Sequence, residues 1–406
     1  MPSVPFPENT TPPLPFPPDA PAPAFANETQ PAFVRYEKPT PPWRTAALHI
    51  GLFLLTLLTT TLAGAEWMTG KLTFGSTPLT AAEMQRGLWF SLPFLGVLTV
   101  HEFGHYFTAR RNGIRATLPF YIPFFTGVFN TIGTFGAVIR IKERIFSRRE
   151  FFDVGLAGPL AGFLVAVPVL IYGFTHLPPA DYVFQVHPEY RAYGLDYARY
   201  VYRPDESIAL ARPLLYQALE YWFADPARLP HPYELMHYPV LMAGVLSLFF
   251  TALNLLPIGQ LDGGHILYGL LGFKRFNRLS VVLFVGFIFY AGLGLFSLQT
   301  SAETWLYWGL PYFAYLFLVF RKALPTPRRA LLLSLSVWAA QLAVTVAVPG
   351  IMGSPGWLVF GLMLGRVTGI YHPPAPDESA LSPGRKVLGW LMLVIFVLCF
   401  TPSPFH

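Results

Sequence analysis

The chain reads as an all-α polytopic membrane protein: a multi-helix transmembrane bundle with one small membrane-associated β-hairpin. Three observations predict the helical bundle. Of 406 residues, 53% are hydrophobic and only 12% charged, whereas soluble domains carry about 25% charged residues. Mean hydropathy is +0.45. Apolar runs of near-spanning length recur from residue 46 onward. The net charge of +6 does not point to nucleic acid, because the Lys and Arg residues cluster beside the apolar runs, as cytoplasmic anchors do. The single cysteine, Cys399, excludes a disulfide framework or a cysteine metal site within one chain.

Residues 1–42 are of a different composition. Fourteen are proline and no apolar run interrupts them, so the segment cannot bury enough surface to fold. A disordered or polyproline-II cytoplasmic tail is expected. It lacks the basic start and short apolar core of a secretory signal. With one serine and one arginine it also fits an organelle transit peptide poorly.

Candidate spans lie near 46–65, 87–110, 154–176, 239–257, 280–298, 305–320, 330–349, 356–371 and 387–400. A spanning helix needs roughly 20 apolar residues, with ~17 as the lower edge, and the last two runs fall short of it. The flanking charges test this layout. Arg35, Lys38 and Arg44 precede the first span and put the N-terminus in the cytoplasm. Alternating from there, Arg110, Arg111 and Arg115, then Arg140 to Arg149, then Lys274, Arg275 and Arg278, then Arg321 to Arg329, and finally Arg385 and Lys386 all fall on the same side. The main loop on the other side is 178–238. Its five arginines against eight acidic residues leave it net −3, and it is expected to form a small cap or amphipathic lid. His187, His231 and His237 in it are metal-capable, but their spacing matches no known site.

The segment Ile114–Lys142 is apolar yet punctuated by Pro119, Pro123, Gly127, Gly133 and Gly136, which would break a helix repeatedly. Its end, Gly136 to Lys142, alternates and is rich in β-branched residues, as a strand is. Bare backbone cannot face lipid, so the segment must pair as a hairpin or line a wet cavity.

His101–Glu102–Phe103–Gly104–His105 fits H-E-x-x-H. On a helix, residues four apart share a face, so His101 and His105 can offer two imidazole nitrogens to one ion, with Glu102 beside them to hold a water. Nitrogen and carboxylate ligands with an open fourth position suggest zinc, which lowers the pKa of a bound water to about 7. Glu102 would accept that proton and pass it to the leaving amine. A charge at the bilayer centre costs ~3 kcal/mol on insertion scales, so three ionisable groups within five residues of an apolar span call for a function. The best third ligand is Asp262, the only acidic residue between Glu234 and Glu303. Pro257 and Gly259 break the helix ahead of it, and two glycines follow it. Charge placement puts it at the same cytoplasmic depth as the two histidines.

H-E-x-G-H in one span and N-x-x-P-x-x-x-L-D-G-G (Asn254 to Gly264) in a later one resemble the site-2 protease family of intramembrane zinc metalloproteases. "DVGLAGPLAGF", Asp153 to Phe163, is similar to that family's Ala-Gly-Pro segment. The run before it looks closest to a plastid and bacterial branch. The resemblance covers roughly residues 85–275. It implies His101, His105 and Asp262 as ligands of one Zn²⁺, Glu102 as catalytic base, and a role for Asn254 near the reacting carbonyl. It also implies that Ile114–Lys142 is the family's β-hairpin, whose strand edge takes up an unwound substrate, with Gly133, Gly136 and Val138 as substrate-binding residues. His265 is read as supporting the site or the structure, His49 as a packing histidine, and Gly155, Gly158 and Gly162 as a close helix approach.

The expected organisation is a tail (1–42), a zinc-protease core (43–280) and accessory spans (281–406). The expected activity is hydrolysis of peptide bonds in or beside transmembrane segments, with single-span membrane proteins and lipid as partners and no nucleic acid. The expected location is a bacterial cytoplasmic membrane. A non-proteolytic scaffold or chaperone on the same fold is opposed by the intact Glu102. A metal transporter would spread polar residues along several spans, and a di-iron lipid enzyme would need several histidine boxes.

Overall fold

A computed structural model describes residues 41–202 and 209–404. The tail expected over 1–42 lies outside the described residues up to residue 40. Helix α1, Pro42–Thr69, begins at the last tail positions, and residues Ala46–His406 cluster as one unit.

The apolar runs all become helices, most of them longer or shifted relative to the runs. Helix α2 is Leu88–Arg111. It is followed by strands β1, Phe120–Pro123, and β2, Thr134–Val138. Helix α3, Arg148–Thr175, starts six residues before the predicted run 154–176 because Ser147 and Glu150 form a reciprocal cap that satisfies its first amides. Helix α4 is Pro239–Leu255, α5 Asp262–Leu271 and α6 Phe273–Ala291. The last stops seven residues short of the predicted end at 298. A turn through Gly292 and Gly294 intervenes, and Gly294 takes φ +82°, a conformation glycine adopts without strain. Helix α7, Leu310–Arg321, continues from a wide π turn at Trp305–Gly309. Helices α8, Pro327–Ala347, α9, Gly356–Met363, and α10, Pro383–Cys399, complete the chain.

Among the described residues, three helices are long and apolar enough to cross a membrane: α1 from Trp43, α3 and α8. Their outward faces carry bare apolar side chains, among them Leu54, Leu55 and Leu58 on α1 and Leu164 on α3. This is the surface lipid requires and water would not tolerate.

Two apolar clusters organise the interior. One joins α3, α4 and α10 through Phe152, Leu170, Leu248, Leu255, Met392 and Ile395. The other joins α6, α7 and α8 through Phe284, Ile288, Leu316, Phe320 and Ala330. The last helix thus returns to the first cluster, and a bidentate pair, Arg385 Nε and Nη2 to the Asp153 carboxylate at 2.7 and 2.8 Å, pins it to α3.

The expected hairpin is present. β1 and β2 pair antiparallel, Phe120 opposite Val138 and Tyr121 opposite Ala137, with an irregularity before Pro123. The strand expected to run to Lys142 ends at Val138 and resumes only as a bridge between Ala116 and Ile141. The hairpin is fastened to its neighbours by polar side chains. His49 Nδ1 donates to the Pro119 carbonyl at 2.9 Å, Thr59 Oγ1 to Gly133 at 2.7 Å, and Thr99 meets the Tyr121 hydroxyl at 2.7 Å. His49 is therefore the packing histidine expected. Gly133 is at φ +85°, and a Cβ there would lie 2.4 Å from the Thr60 Cα, so the hairpin can lie on α1 only with glycine at this point.

The described residues of the 178–238 segment form short helical turns and a longer helix, Leu214–Phe223. That helix is amphipathic: Tyr216 and Leu219 are buried against the end of α3, while Tyr221 and Trp222 are exposed.

Candidate metal centre

His101, Glu102 and His105 are all buried on α2. Across from them, α4 ends at Leu255, six residues run without helix, and Asp262 opens α5. Asp262 is therefore in a first helical turn, where the helix dipole favours a carboxylate. The glycines around it allow this sharp join. A Cβ on Gly263 would lie 1.9 Å from the Leu255 carbonyl oxygen, and one on Gly264 would lie 2.3 Å from that of Gly259.

The two histidines and the aspartate converge. His101 Nε2 and His105 Nε2 are 3.1 Å apart, and Asp262 Oδ2 is 3.4 Å from the first and 3.2 Å from the second. Ligands ~2.0–2.1 Å from a tetrahedral zinc ion lie about 3.4 Å from one another, so the three atoms mark one face of such a tetrahedron. The His105 ring is held in a ligating orientation, because its Nδ1 lies 2.8 Å from the Val154 carbonyl. A carbonyl only accepts, so Nδ1 carries the proton and Nε2 offers its lone pair to the centre. Glu102 Oε1 stands 4.0 Å from His101 Nε2, and its carboxylate receives the Ile139 backbone N–H. The Asn254 amide nitrogen is 3.3 Å from His101 Nε2.

Helix α3 makes room for this group. A Cβ on Gly158 would lie 2.1 Å from His105 Nε2, and one on Gly162 would lie 3.1 Å from the His101 Cβ. A Cβ on Gly155 would lie 2.5 Å from the His265 Cβ. The close helix approach expected of these glycines is real, and what approaches is the histidine rings. His265 stands behind the site, its Nδ1 2.8 Å from His372 Nε2. Sequence reasoning missed His372, which sits in the loop before α10 with no motif around it. It also missed the Val154 carbonyl and the Ile139 amide, backbone groups that no residue type announces.

The structure thus brings together His101, Glu102, His105, Asn254 and Asp262. Gly133, Gly136 and Val138 lie in the hairpin instead. Gly133 packs on α1, Gly136 takes φ +108° facing Phe250, and Val138 is half exposed. Ile139, next after Val138, links this strand to Glu102.

Fold and site together define a multi-helix membrane protein with a His–His–Asp group, its histidines buried and its aspartate partly so, able to hold one metal ion. Residues 89–293 match the family model of peptidase family M50, and the chain belongs to that family. It is an integral membrane protein of the site-2 protease type, as the two motifs implied. Among curated proteins it is similar to a probable chloroplastic zinc metalloprotease, EGY2, of Oryza sativa subsp. indica. That match is 30% identical over 198 residues, 48% of this chain and 32% of the relative. The Arabidopsis thaliana protein of the same name is 30% identical over 190 residues, 45% and 29% of the two chains. The probable chloroplastic zinc metalloprotease EGY1 of Arabidopsis thaliana is 31% identical over 219 residues, 53% and 34%. The chain therefore spans about a third of the length of the curated relatives it matches. No solved structure gives a significant match.

Proposed function

We propose that this protein is an intramembrane zinc metalloprotease that hydrolyses peptide bonds in or next to transmembrane segments of other membrane proteins. In this reading His101, His105 and Asp262 hold the ion and Glu102 is the catalytic base. The convergence of three ligand atoms from α2 and α5 within 3.4 Å, with Glu102 beside them, carries the reading. Zinc bound there supplies a Lewis acid for the scissile carbonyl and a more acidic water. Glu102 takes the proton from the attacking water as its oxygen bonds to the carbonyl carbon. It then delivers that proton to the amine nitrogen as the C–N bond breaks. The Asn254 amide is close enough to the ligands to donate to the carbonyl oxygen and orient it. A helical peptide bond is shielded by its own hydrogen bonds, so the substrate unwinds first. Strand β2 is the proposed docking edge, with Gly136 and Val138 against the substrate and Gly133 fixing the strand on α1.

Single-span membrane proteins are the proposed substrates, cut near the cytoplasmic face, where the basic segments lie. The proposed organisation keeps a cytoplasmic tail over 1–42, a protease core over 43–280 and accessory spans over 281–406. The proposed location is a bacterial cytoplasmic membrane. The relatives carry plastid names, so fractionation to a plastid membrane would replace that assignment.

The test is Glu102→Gln, assayed with a co-expressed panel of single-span substrates and by metal analysis. Cleavage should fall about 10²–10⁴-fold while the ion stays bound. Undiminished function in this variant would make the protein a scaffold rather than a protease.

A further inference from the structure

The structure assigns a second divalent-metal site, in the 178–238 segment, to His187, Glu234 and His237. These residues are 47 and 3 positions apart in sequence, a spacing that matches no motif, yet the fold closes them on one point. His187 Nε2 and His237 Nε2 are 3.2 Å apart. Glu234 Oε2 is 3.3 Å from the second and 3.8 Å from the first. These edges bracket the ~3.4 Å expected between ligands of one tetrahedral zinc ion, and they parallel those of the His101 group.

Proton bookkeeping points the same way. His237 Nδ1 is 2.7 Å from the Trp67 carbonyl, which can only accept, so that nitrogen carries the proton. His187 Nδ1 is likewise 3.1 Å from the Glu189 carboxylate. Each ring, when neutral, therefore turns an unprotonated Nε2 toward the other. Glu234 is almost wholly buried. Its Oε1 accepts from the Tyr202 hydroxyl, while its Oε2 has no hydrogen-bond partner among the described residues and is aimed between the two rings. Two imidazole lone pairs and an unpartnered carboxylate oxygen thus converge in a buried place with no donor among the three atoms. A cation resolves that arrangement. A carboxylate or carbonyl behind each histidine is the outer support metal-binding imidazoles have. Two nitrogens and one oxygen suit zinc or a neighbouring first-row divalent ion. His187 is partly open to solvent, which leaves a fourth position for water. His231, the third histidine of this segment, is not a ligand: its ring stacks on Tyr202 at 4.7 Å.

The site joins the early part of the segment to the turn just before α4 and, through the Trp67 carbonyl, to the end of α1. Its role is to clamp the cap on the side opposite the basic clusters. It shares no residue with the proposed catalytic centre, so the two can be tested separately.

The experiment is metal analysis of the full chain, purified in detergent and equilibrated with zinc. Wild type should hold two ions, His187→Ala one, the His105→Ala/Asp262→Ala double variant one, and the triple variant none. Retention of the first ion by His187→Ala shows that it folds. In the double variant, zinc X-ray absorption should show two imidazoles and a carboxylate, a readout that leaves the cap residues unaltered. Equal zinc content in wild type and His187→Ala, or a zinc-free double variant, would overturn the assignment.

Discussion

At the residue scale, the chemistry depends on positions where a single carbon atom would intrude. Gly158 is the clearest case, since a Cβ there would occupy space 2.1 Å from His105 Nε2. Gly158→Ala should therefore displace the ring and empty the His–His–Asp centre, although alanine is the better helix former. Metal content of the purified variant measures this, and an unchanged zinc load would show that α3 gives way instead. For Glu102→Gln the expected loss of cleavage is about 10²–10⁴-fold, the usual contribution of a positioned acid–base group. The histidines and Asp262 could be picked out in sequence because ionisable groups are rare in apolar runs. Val154, Ile139 and His372 could not. The first two act through their backbones, and His372 reaches the site only because the loop before α10 folds over α5.

At the scale of elements, apolar run length and charge placement located each span. The ends were set by what hydropathy does not carry: a capping box at Ser147, a glycine turn at Gly292 and Gly294, π turns at Trp305 and Leu364. The hairpin was legible from its prolines and glycines, but its anchors on α1 and α2 depend on tertiary contact. Gly133→Ala should cost about 2–4 kcal/mol, from a left-handed backbone and an overpacked contact with Thr60. Thermal unfolding in detergent measures it, and a shift within error would mean the hairpin does not rest on α1. The 178–238 segment was least legible, because the short turns and stacked tyrosines of its described residues leave no periodic signal.

At the scale of the whole molecule, the alternation of spans makes the protein sided, with the basic clusters on one face. Arg144 belongs to the basic segment before α3, and Tyr221 to the cap; both are exposed. The native Cys399 is buried, so the background for thiol labelling is low. Arg144→Cys should react with a membrane-impermeant thiol reagent only from the cytoplasmic face, and Tyr221→Cys only from the opposite face. Labelling of both from one side would refute the alternation of spans.

The central claim is that one ion is held jointly by α2 and by a carboxylate more than 150 residues later in the chain. Asp262→Ala tests it most directly, with zinc content and cleavage of a co-expressed single-span substrate measured on the same preparation. The expected result is the loss of one zinc ion per chain together with all cleavage. A variant that keeps its full zinc load and cuts at the wild-type rate would contradict it.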